Sequence, residues 1–257
     1  MSNSASPVQS VDRAIRVLEI LADDGESGVT DIAAILDVHK STAFRLIAAL
    51  ESRGLVEQNS DRGKYRLGAG ILRLAGATTA RLDVVQEVRP FARILAADLG
   101  ETVNVAVLNA GAALYLDQIA GSSTLQPHNW VGQRIPLHAT SNGKVLLSGL
   151  ADEQIGPEVG RTMQSYTPST VTSLKTLVAQ VAKVREQGFS VVVDELELGL
   201  TAIAAPLRDI HGDVIASLSL SGPTFRFDAQ KVKRGVDGVV TTAADASGRL
   251  GWRPSSS

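Results

Sequence analysis

Four polar side chains stand close together near the start of a helical segment, residues 39–53: Lys40, Ser41, Thr42 and Arg45. A guanidinium such as that of Arg45 can make two hydrogen bonds to guanine, and an ammonium can contact a phosphate. Hydroxyl groups bond a phosphate or a base edge, and a helix N-terminus attracts phosphate. The apolar residues Phe44, Ile47 and Leu50 recur at helical spacing and predict the opposite, buried side. The pattern therefore indicates a helix that reads DNA.

Positive charge is concentrated around this helix rather than spread along the chain. Residues 38–73 hold seven basic residues (40, 45, 53, 62, 64, 66, 73) against three acids (51, 57, 61), whereas the whole chain has 25 basic and 27 acidic residues. Such a local excess is what a phosphate backbone attracts. Arg62 falls in a polar turn, and we expect it to reach a minor groove or the backbone. Arg13 and Arg16 are expected to hold phosphates from an earlier helix.

A second group of reactive side chains suggests a different chemistry. Asp194, Glu195 and Glu197 are clustered carboxylates, and His138 precedes Ser141 by three residues. The chain contains no GxSxG elbow, no HExxH zinc helix, no GxxxxGK[ST] phosphate loop and no cysteine. A small-molecule hydrolase therefore stays an alternative that the sequence disfavours. We predict no catalytic residue, no metal site and no cofactor.

The basic residues sit within a succession of short elements. These are helices that begin near Val11 and Thr30, the helix 39–53, and strands at 55–57 and 64–67. The two strands are joined by a polar turn that ends in Gly63, as a hairpin requires. Three helices followed by a hairpin are the layout of a winged helix–turn–helix. We place this DNA-binding domain at residues 10–68, after a disordered tail at 1–9.

The rest of the chain alternates between helical and strand-like segments. Small residues over 69–82 predict a linker helix that leads into a second domain, 83–252, followed by a short tail at 253–257. Within that domain we predict strands at 102–108, 113–119, 189–193, 202–207 and 214–221, and helices at 139–150, 174–187 and 228–250. Strands paired locally, with helices between them, are typical of an α+β fold with a mostly antiparallel sheet.

Composition limits the class of protein further. Hydrophobic residues make up 44% of the 257, which is enough for a packed core in each of two domains. The N-terminus lacks the features of a secretory signal, and no apolar run reaches the 18 or so residues of a membrane helix. We therefore expect a cytoplasmic protein that has no membrane partner.

Several motifs, in one order along residues 10–252, resemble those of the IclR family of bacterial regulators. In the first domain they are SVDRAIRVLEIL at 10–21, KSTAFRLI at 40–47 and RGLVE at 53–57. In the second they are PLHATSNGKVLL at 136–147, GLTAIAAP at 199–206 and SLSLSGP at 217–223. Collinear motifs are far more specific than any one of them alone.

The resemblance implies a transcription regulator, a repressor or an activator, with a GAF-like effector domain at its C-terminus, and we favour a repressor. It implies a homodimer or homotetramer that binds a palindromic site in double-stranded DNA. It also implies control by a small-molecule effector, an organic acid or an aromatic metabolite. Carried over by position, the effector-binding residues are Leu125, Trp130, Ile135, Ser141, Asn142, Val192, Ala202, Ser219 and Ser221.

This sequence departs from family members that bind small keto acids at two of these positions. Ala202 stands where those members carry cysteine, and Val192 stands where aspartate is common. Both changes make the site less polar, so we expect an effector that is bulkier or more apolar than a two- or three-carbon acid. The alternative is a DNA-binding protein whose C-terminal domain only oligomerises.

Overall fold

The computed structural model describes residues 8–59, 63–76, 79–122 and 129–253, with side chains outside 75–83. Arg62 and Leu125 therefore lie outside the described residues. The chain divides into two compact units, Met1–Ala80 and Arg81–Ser257. Across the described ranges, no helix is both long and apolar enough to span a membrane.

The N-terminal unit is a winged helix–turn–helix, as predicted. Its elements are α1 (Gln9–Asp24), β1 (Ser27–Gly28), α2 (Val29–Ile35), α3 (Lys40–Glu51), β2 (Val56–Gln58), β3 (Lys64–Leu67) and α4 (Gly70–Gly76). The three strands form an antiparallel sheet in the order β1-β3-β2. Val17, Leu21, Ile32 and Ile47 are fully or almost fully buried, and they tie α1, α2 and α3 into one core.

The prediction that Phe44 is buried is wrong. Its side chain is 53% exposed, whereas Ala43 and Ile47 are fully buried and Leu50 is 8% exposed. At 100° per residue, positions 43, 47 and 50 form the inward stripe of α3, and a small alanine occupies the place we had given to phenylalanine. The exposed part of α3, beside this inward stripe, therefore includes a large apolar side chain.

The C-terminal unit has a six-stranded antiparallel sheet in the order β6-β5-β4-β9-β8-β7. Its elements are α5 (Thr79–Leu99), β4 (Thr102–Asn109), β5 (Ala112–Ile119), β6 (Arg134–Pro136), α6 (Ser141–Ser148), α7 (Asp152–Val159), α8 (Leu174–Gln187), β7 (Ser190–Val193), β8 (Leu200–Arg208), β9 (Val214–Pro223) and α9 (Ala229–Arg249). Helices α5 and α9 pack on one face of the sheet. Helices α6, α7 and α8 lie on the other. The predicted α+β class with an antiparallel sheet is confirmed.

Helix α7 and strand β6 were not predicted, nor was the two-residue strand β1. Helix α7 contains Gly156 and Pro157, both of which weaken a helical pattern, yet its Ile155 is fully buried and anchors it. Strand β6 is only three residues long and ends in Pro136, so it lacks the alternation that reveals a strand. It extends the sheet beside β5 and carries Ile135 into the interior.

Candidate functional site

The exposed face of α3 carries the polar side chains that the sequence singled out. Lys40, Ser41 and Arg45 are exposed, and Thr42 is half-buried. His39 caps the helix: its Nδ1 lies 3.3 Å from the Ser41 backbone nitrogen and 2.8 Å from Ser41 Oγ. The His39 side chain thus caps the start of α3, and the side chains three and four residues from Arg45 are short.

The other predicted DNA contacts lie outside α3. On α1, Arg16 is exposed and Arg13 is half-buried. Two basic side chains of the wing are partly neutralised, because Lys64 Nζ lies 3.4 Å from Glu26 and Arg66 Nε lies 2.7 Å from Glu57. In the described part of the wing, the positive charge is thus weaker than its sequence suggests, and α3 is the more basic surface.

The C-terminal unit contains a cavity of about 470 Å³ on the sheet face that α6 covers. Seven of the nine predicted effector-binding residues line it: Trp130, Ile135, Ser141, Val192, Ala202, Ser219 and Ser221. Asn142 is fully buried and lies behind this lining, and Leu125 falls outside the described residues. We call this space the C-terminal cavity.

Two cross-strand rows of side chains form the floor of the C-terminal cavity. The first row, across β7, β8, β9 and β4, is Val192, Ala202, Ser221 and Thr102. The second, across β9, β4 and β5, is Ser219, Asn104 and Gln118. Residues opposite each other in antiparallel strands point to the same face, so register brings these distant positions together. The floor changes from apolar at β7 to polar at β4.

A β-bulge places Tyr115 in the wall beside this floor. The register between β4 and β5 shifts at Val105/Ala106, so that Asn104 faces Gln118 while Ala106 faces Tyr115. Without the extra residue, Tyr115 and Gln118 would point to opposite faces. Burial raises the pKa of the Tyr115 phenol, and a hydrogen bond with Asn142 opposes that rise. The phenol is therefore neutral near pH 7 and able to donate a hydrogen bond.

The N-terminus of α6 forms another side of the C-terminal cavity. Thr140 caps it by accepting a hydrogen bond from the Gly143 N–H at 3.1 Å. The N–H groups of Ser141 and Asn142 belong to the first turn and have no acceptor within the helix. Asn142 Nδ2 donates to Ser219 Oγ at 2.9 Å, which connects α6 to β9. The arrangement offers backbone donors and hydroxyl groups to an anionic oxygen.

Two buried amide oxygens beside the cavity lack a partner in the described part of the chain. They are Asn104 Oδ1 and Asn142 Oδ1. Asn104 Nδ2 lies 3.3 Å from Ser221 Oγ, so the amide is held at one end only. A buried polar atom without a partner is unfavourable. Asn104 lines the cavity, so a bound molecule that donates a hydrogen bond to its Oδ1 would remove that penalty there.

The segment 194–199 borders the cavity and is tied to α6 by a buried ion pair. Lys144 Nζ lies 2.6 and 2.7 Å from the two carboxylate oxygens of Glu195. Burial lowers the pKa of the Lys144 ammonium, and the Glu195 carboxylate opposes that shift. Thr170 Oγ1 donates to the Glu195 carbonyl at 2.6 Å. Leu198, near the end of the segment, is 72% exposed and lines the cavity.

A second buried carboxylate, Glu101, lies in the lining of the C-terminal cavity and holds Arg226 in place. Arg226 donates to both of its oxygens, at 2.9 Å from Nε and 2.7 Å from Nη2, and Lys231 Nζ lies 2.5 Å from Oε1. Glu101 is fully buried, and only glycine fits at 222, because a Cβ there would lie 2.2 Å from Glu101 Oε2. The Glu101 charge is thus compensated by two cations of the same cluster.

Three of the five residues of the hydrolase alternative, His138, Asp194 and Glu195, make structural contacts. His138 Nε2 lies 2.9 Å from the Gln164 carbonyl, and its ring packs near that of Tyr166. Asp194 Oδ1 accepts from the Gly199 N–H at 2.8 Å. Glu195 is paired with Lys144 as described above.

Sequence reasoning missed several residues that line the C-terminal cavity: Glu101, Asn104, Tyr115, Gln118, Leu198, Phe225 and Arg226. The strand parity that selects Ser219 and Ser221 also selects Asn104, once β4 is known to pair with β9. Tyr115 depends on the bulge, and the contact of Glu101 with Arg226 spans 125 residues. No local pattern in the sequence reveals either of these.

Two family models match the chain in separate regions. The IclR helix-turn-helix domain matches residues 10–60, and the bacterial transcriptional regulator IclR C-terminal region matches residues 76–248. The HTH-type transcriptional repressor AllR of Escherichia coli K12 is 36% identical over 247 residues, which cover 95% of this chain and 91% of AllR.

Solved structures agree with these matches. An IclR transcriptional regulator from Alicyclobacillus acidocaldarius aligns with a TM-score of 0.80 at 27% identity, covering 96% of this chain and all (100%) of the other. An IclR homologue from Microbacterium hydrocarbonoxydans, complexed with 4-hydroxybenzoate, aligns with a TM-score of 0.81 at 26% identity, covering 94% and 98%. The chain therefore belongs to the IclR family of bacterial transcriptional regulators, which are DNA-binding proteins rather than enzymes.

Proposed function

We propose that this chain is a cytoplasmic repressor that binds a palindromic operator through α3 and is controlled by a small molecule bound in the C-terminal cavity. The observation that carries the proposal is the cavity itself, about 470 Å³ and lined by both hydroxyl groups and large apolar side chains. Ligand sites of proteins have volumes of about 300–1,000 Å³ and this mixed lining.

On the DNA side, Arg45 reads a base edge, and Ser41 and Thr42 bond a base edge or a phosphate. Lys40 contacts the backbone at the start of α3. The exposure of three of these side chains supports the assignment. Three further arginines contact the backbone or a minor groove: Arg13, Arg16 and Arg62.

The effector is a bulky organic acid or an aromatic metabolite. A volume of about 470 Å³ lies within the range of about 300–1,000 Å³ that is typical of sites for drug-sized ligands, so a two- or three-carbon acid would fill only part of the cavity. The Microbacterium homologue, whose structure contains 4-hydroxybenzoate, supports an aromatic acid as a class. Its carboxylate would meet the first N–H groups of α6, near Ser141 and Asn142. Ser219 and Ser221 would bind its polar atoms.

The apolar half of such an effector packs against the side chains that make this cavity less polar than a keto-acid site. Val192 and Ala202 face each other across β7 and β8. Trp130 and Ile135 supply the opposite wall, with the Trp130 ring 6.2 Å from that of Tyr115. We expect Leu125 to extend this wall.

Effector binding changes DNA affinity through a population shift between two arrangements of a homodimer or homotetramer. The change in DNA affinity equals the effector's differential affinity for the two states. An apolar stripe on α1 supports self-association, because Val11 and Ile15 are 56% and 52% exposed. Two copies would then present two α3 helices to two half-sites.

The test combines ligand titration with DNA binding by the full chain. Tryptophan fluorescence and calorimetry follow titration with 4-hydroxybenzoate, benzoate, glyoxylate and pyruvate, and anisotropy follows binding to a duplex selected from a random pool. We expect an aromatic acid to bind and to lower DNA affinity. Micromolar binding of glyoxylate or pyruvate would contradict the effector class. DNA binding without any ligand response would favour the oligomerisation alternative.

A matched pair of variants locates the bound molecule. Ser219 and Ser217 lie two residues apart on β9 and point to the same face of the sheet, but only Ser219 lines the cavity. Ser219→Ala should weaken ligand binding, and Ser217→Ala should leave it unchanged. Equal effects of the two substitutions would place the ligand elsewhere.

A further inference from the structure

Phe44 is an exposed aromatic residue on the surface that the proposed function assigns to DNA. Its side chain is 53% exposed, and it is absent from the core of the N-terminal unit and from the apolar residues packed on that core. Water contact of a large apolar side chain is unfavourable by itself. A partner surface that buries Phe44 would therefore be stabilised by it.

The position of Phe44 on α3 identifies that partner surface. Phe44 follows Ser41 by three residues and precedes Ala48 by four, and Arg45 is its neighbour along the chain. Residues three and four apart lie side by side on a helix, and Arg45 lies 100° further round it from Phe44. All four residues are exposed, so they form one continuous exposed arc of α3. Its two flanking side chains, serine and alanine, are short, so a base edge can approach the phenyl ring closely. The face therefore combines one bidentate donor with one apolar contact.

The major groove displays one apolar group on its base edges, the C5-methyl group of thymine. We propose that Phe44 reads operator sequence by contacting the methyl group of one thymine in each half-site. This assignment rests on the proposed function, because α3 must enter the major groove for the contact to form. Phe44 then specifies a base by apolar contact while Arg45 specifies another by hydrogen bonds.

The experiment replaces thymine by uracil, which removes only the methyl group. The full chain first selects its preferred duplex from a random pool, and each thymine of that duplex is then replaced in turn. At one thymine of each half-site we expect binding to weaken about fourfold, and about fifteenfold when both are replaced. These factors correspond to a loss of about 0.8 kcal/mol of binding free energy per methyl group, at about 1.4 kcal/mol for each tenfold change in affinity. The scan uses the unchanged chain, so it does not depend on any variant folding.

Variants then assign the effect to Phe44. Phe44→Ala should lose both the thymine preference and the uracil sensitivity, and Phe44→Leu should retain part of each. Ile35→Ala is the matched control, since Ile35 is 50% exposed on α2 and should leave the selected motif unchanged.

Three outcomes would overturn the proposal, and they can be told apart. If the unchanged chain selects no motif, the assignment of α3 as the DNA-reading helix fails and Phe44 fails with it. If it selects a motif that uracil leaves equally well bound, the methyl contact alone fails. If Phe44→Ala keeps the uracil sensitivity of the unchanged chain, another residue makes the contact.

Discussion

Replacing Lys144 by methionine should destabilise the C-terminal unit strongly at pH 7 and only slightly at pH 5. The substitution keeps an unbranched apolar stem and removes the ammonium that lies 2.6 and 2.7 Å from the Glu195 carboxylate oxygens. Glu195 is 9% exposed, so its carboxylate would stay buried without a counter-ion. Breaking a buried pair in this way leaves an uncompensated charge.

The loss in free energy of unfolding has an upper limit, because a buried carboxylate can bind a proton rather than remain charged. A glutamate in water has a pKa of about 4.3, so neutralising one at pH 7 requires about 2.7 pH units at 1.36 kcal/mol each, or about 3.7 kcal/mol. That value lies within the range of about 3–5 kcal/mol for broken buried pairs. At pH 5 the same ceiling is about 1 kcal/mol. The folded variant then holds a proton that the unfolded chain has released, so its stability falls as pH rises.

Urea unfolding followed by tryptophan fluorescence reports the loss of stability of the C-terminal unit. Both tryptophans of the chain, Trp130 and Trp252, lie within Arg81–Ser257. Arg249→Met is the matched control in the same unit, because the Arg249 side chain is 63% exposed where it pairs with Glu87. An exposed pair contributes less than about 1 kcal/mol, with little dependence on pH over this range.

The reasoning would be refuted by a Lys144→Met variant that loses less than about 1 kcal/mol at pH 7. It would also be refuted by a loss as large at pH 5 as at pH 7. The first result would mean that water reaches Glu195 in the folded chain and replaces the lost ammonium. The second would mean that the loss comes from altered packing at position 144 and not from the charge left on Glu195.

Three further predictions concern other parts of the chain. Arg45→Ala should weaken binding to a selected duplex by about 1–3 kcal/mol and relax its base preference, and an unchanged motif would contradict its role. Gly143→Ala should destabilise the C-terminal unit by about 3 kcal/mol in urea unfolding, because its Cβ would lie 2.2 Å from the Leu137 carbonyl oxygen. Gly248→Ala, which meets nothing within 4 Å inside α9, should instead stabilise it by about 0.5–1 kcal/mol. Because burial raises the pKa of Tyr115, the unfolded chain loses that proton first, and stability should fall as pH rises through about 10. Urea unfolding at increasing alkaline pH should show a smaller fall in Tyr115→Phe, and equal falls would contradict the shift.

Most of the helices and strands follow from local patterns in the sequence. Apolar residues at helical spacing locate α1 and α3, and a glycine-ended polar turn locates the wing. The alternation of Ser219 and Ser221 places both on one face of β9, where they line the C-terminal cavity. These predictions succeed because helix and strand periodicities are properties of a few consecutive residues.

The rest of the candidate site depends on contacts between residues that are distant in sequence. The pairing of β4 with β9 brings Asn104 beside Ser219, and a bulge in one register turns Tyr115 toward the cavity. Lys144 and Glu195 meet across 51 residues.

Local periodicity thus determined most of the elements, but strand order, register and the choice of inward stripe were decided by packing. Phe44 illustrates the difference, since α3 buries the small Ala43 and exposes the phenyl ring. A helix with apolar residues on two adjacent faces can pack through either one, and only the surrounding helices determine which face fits.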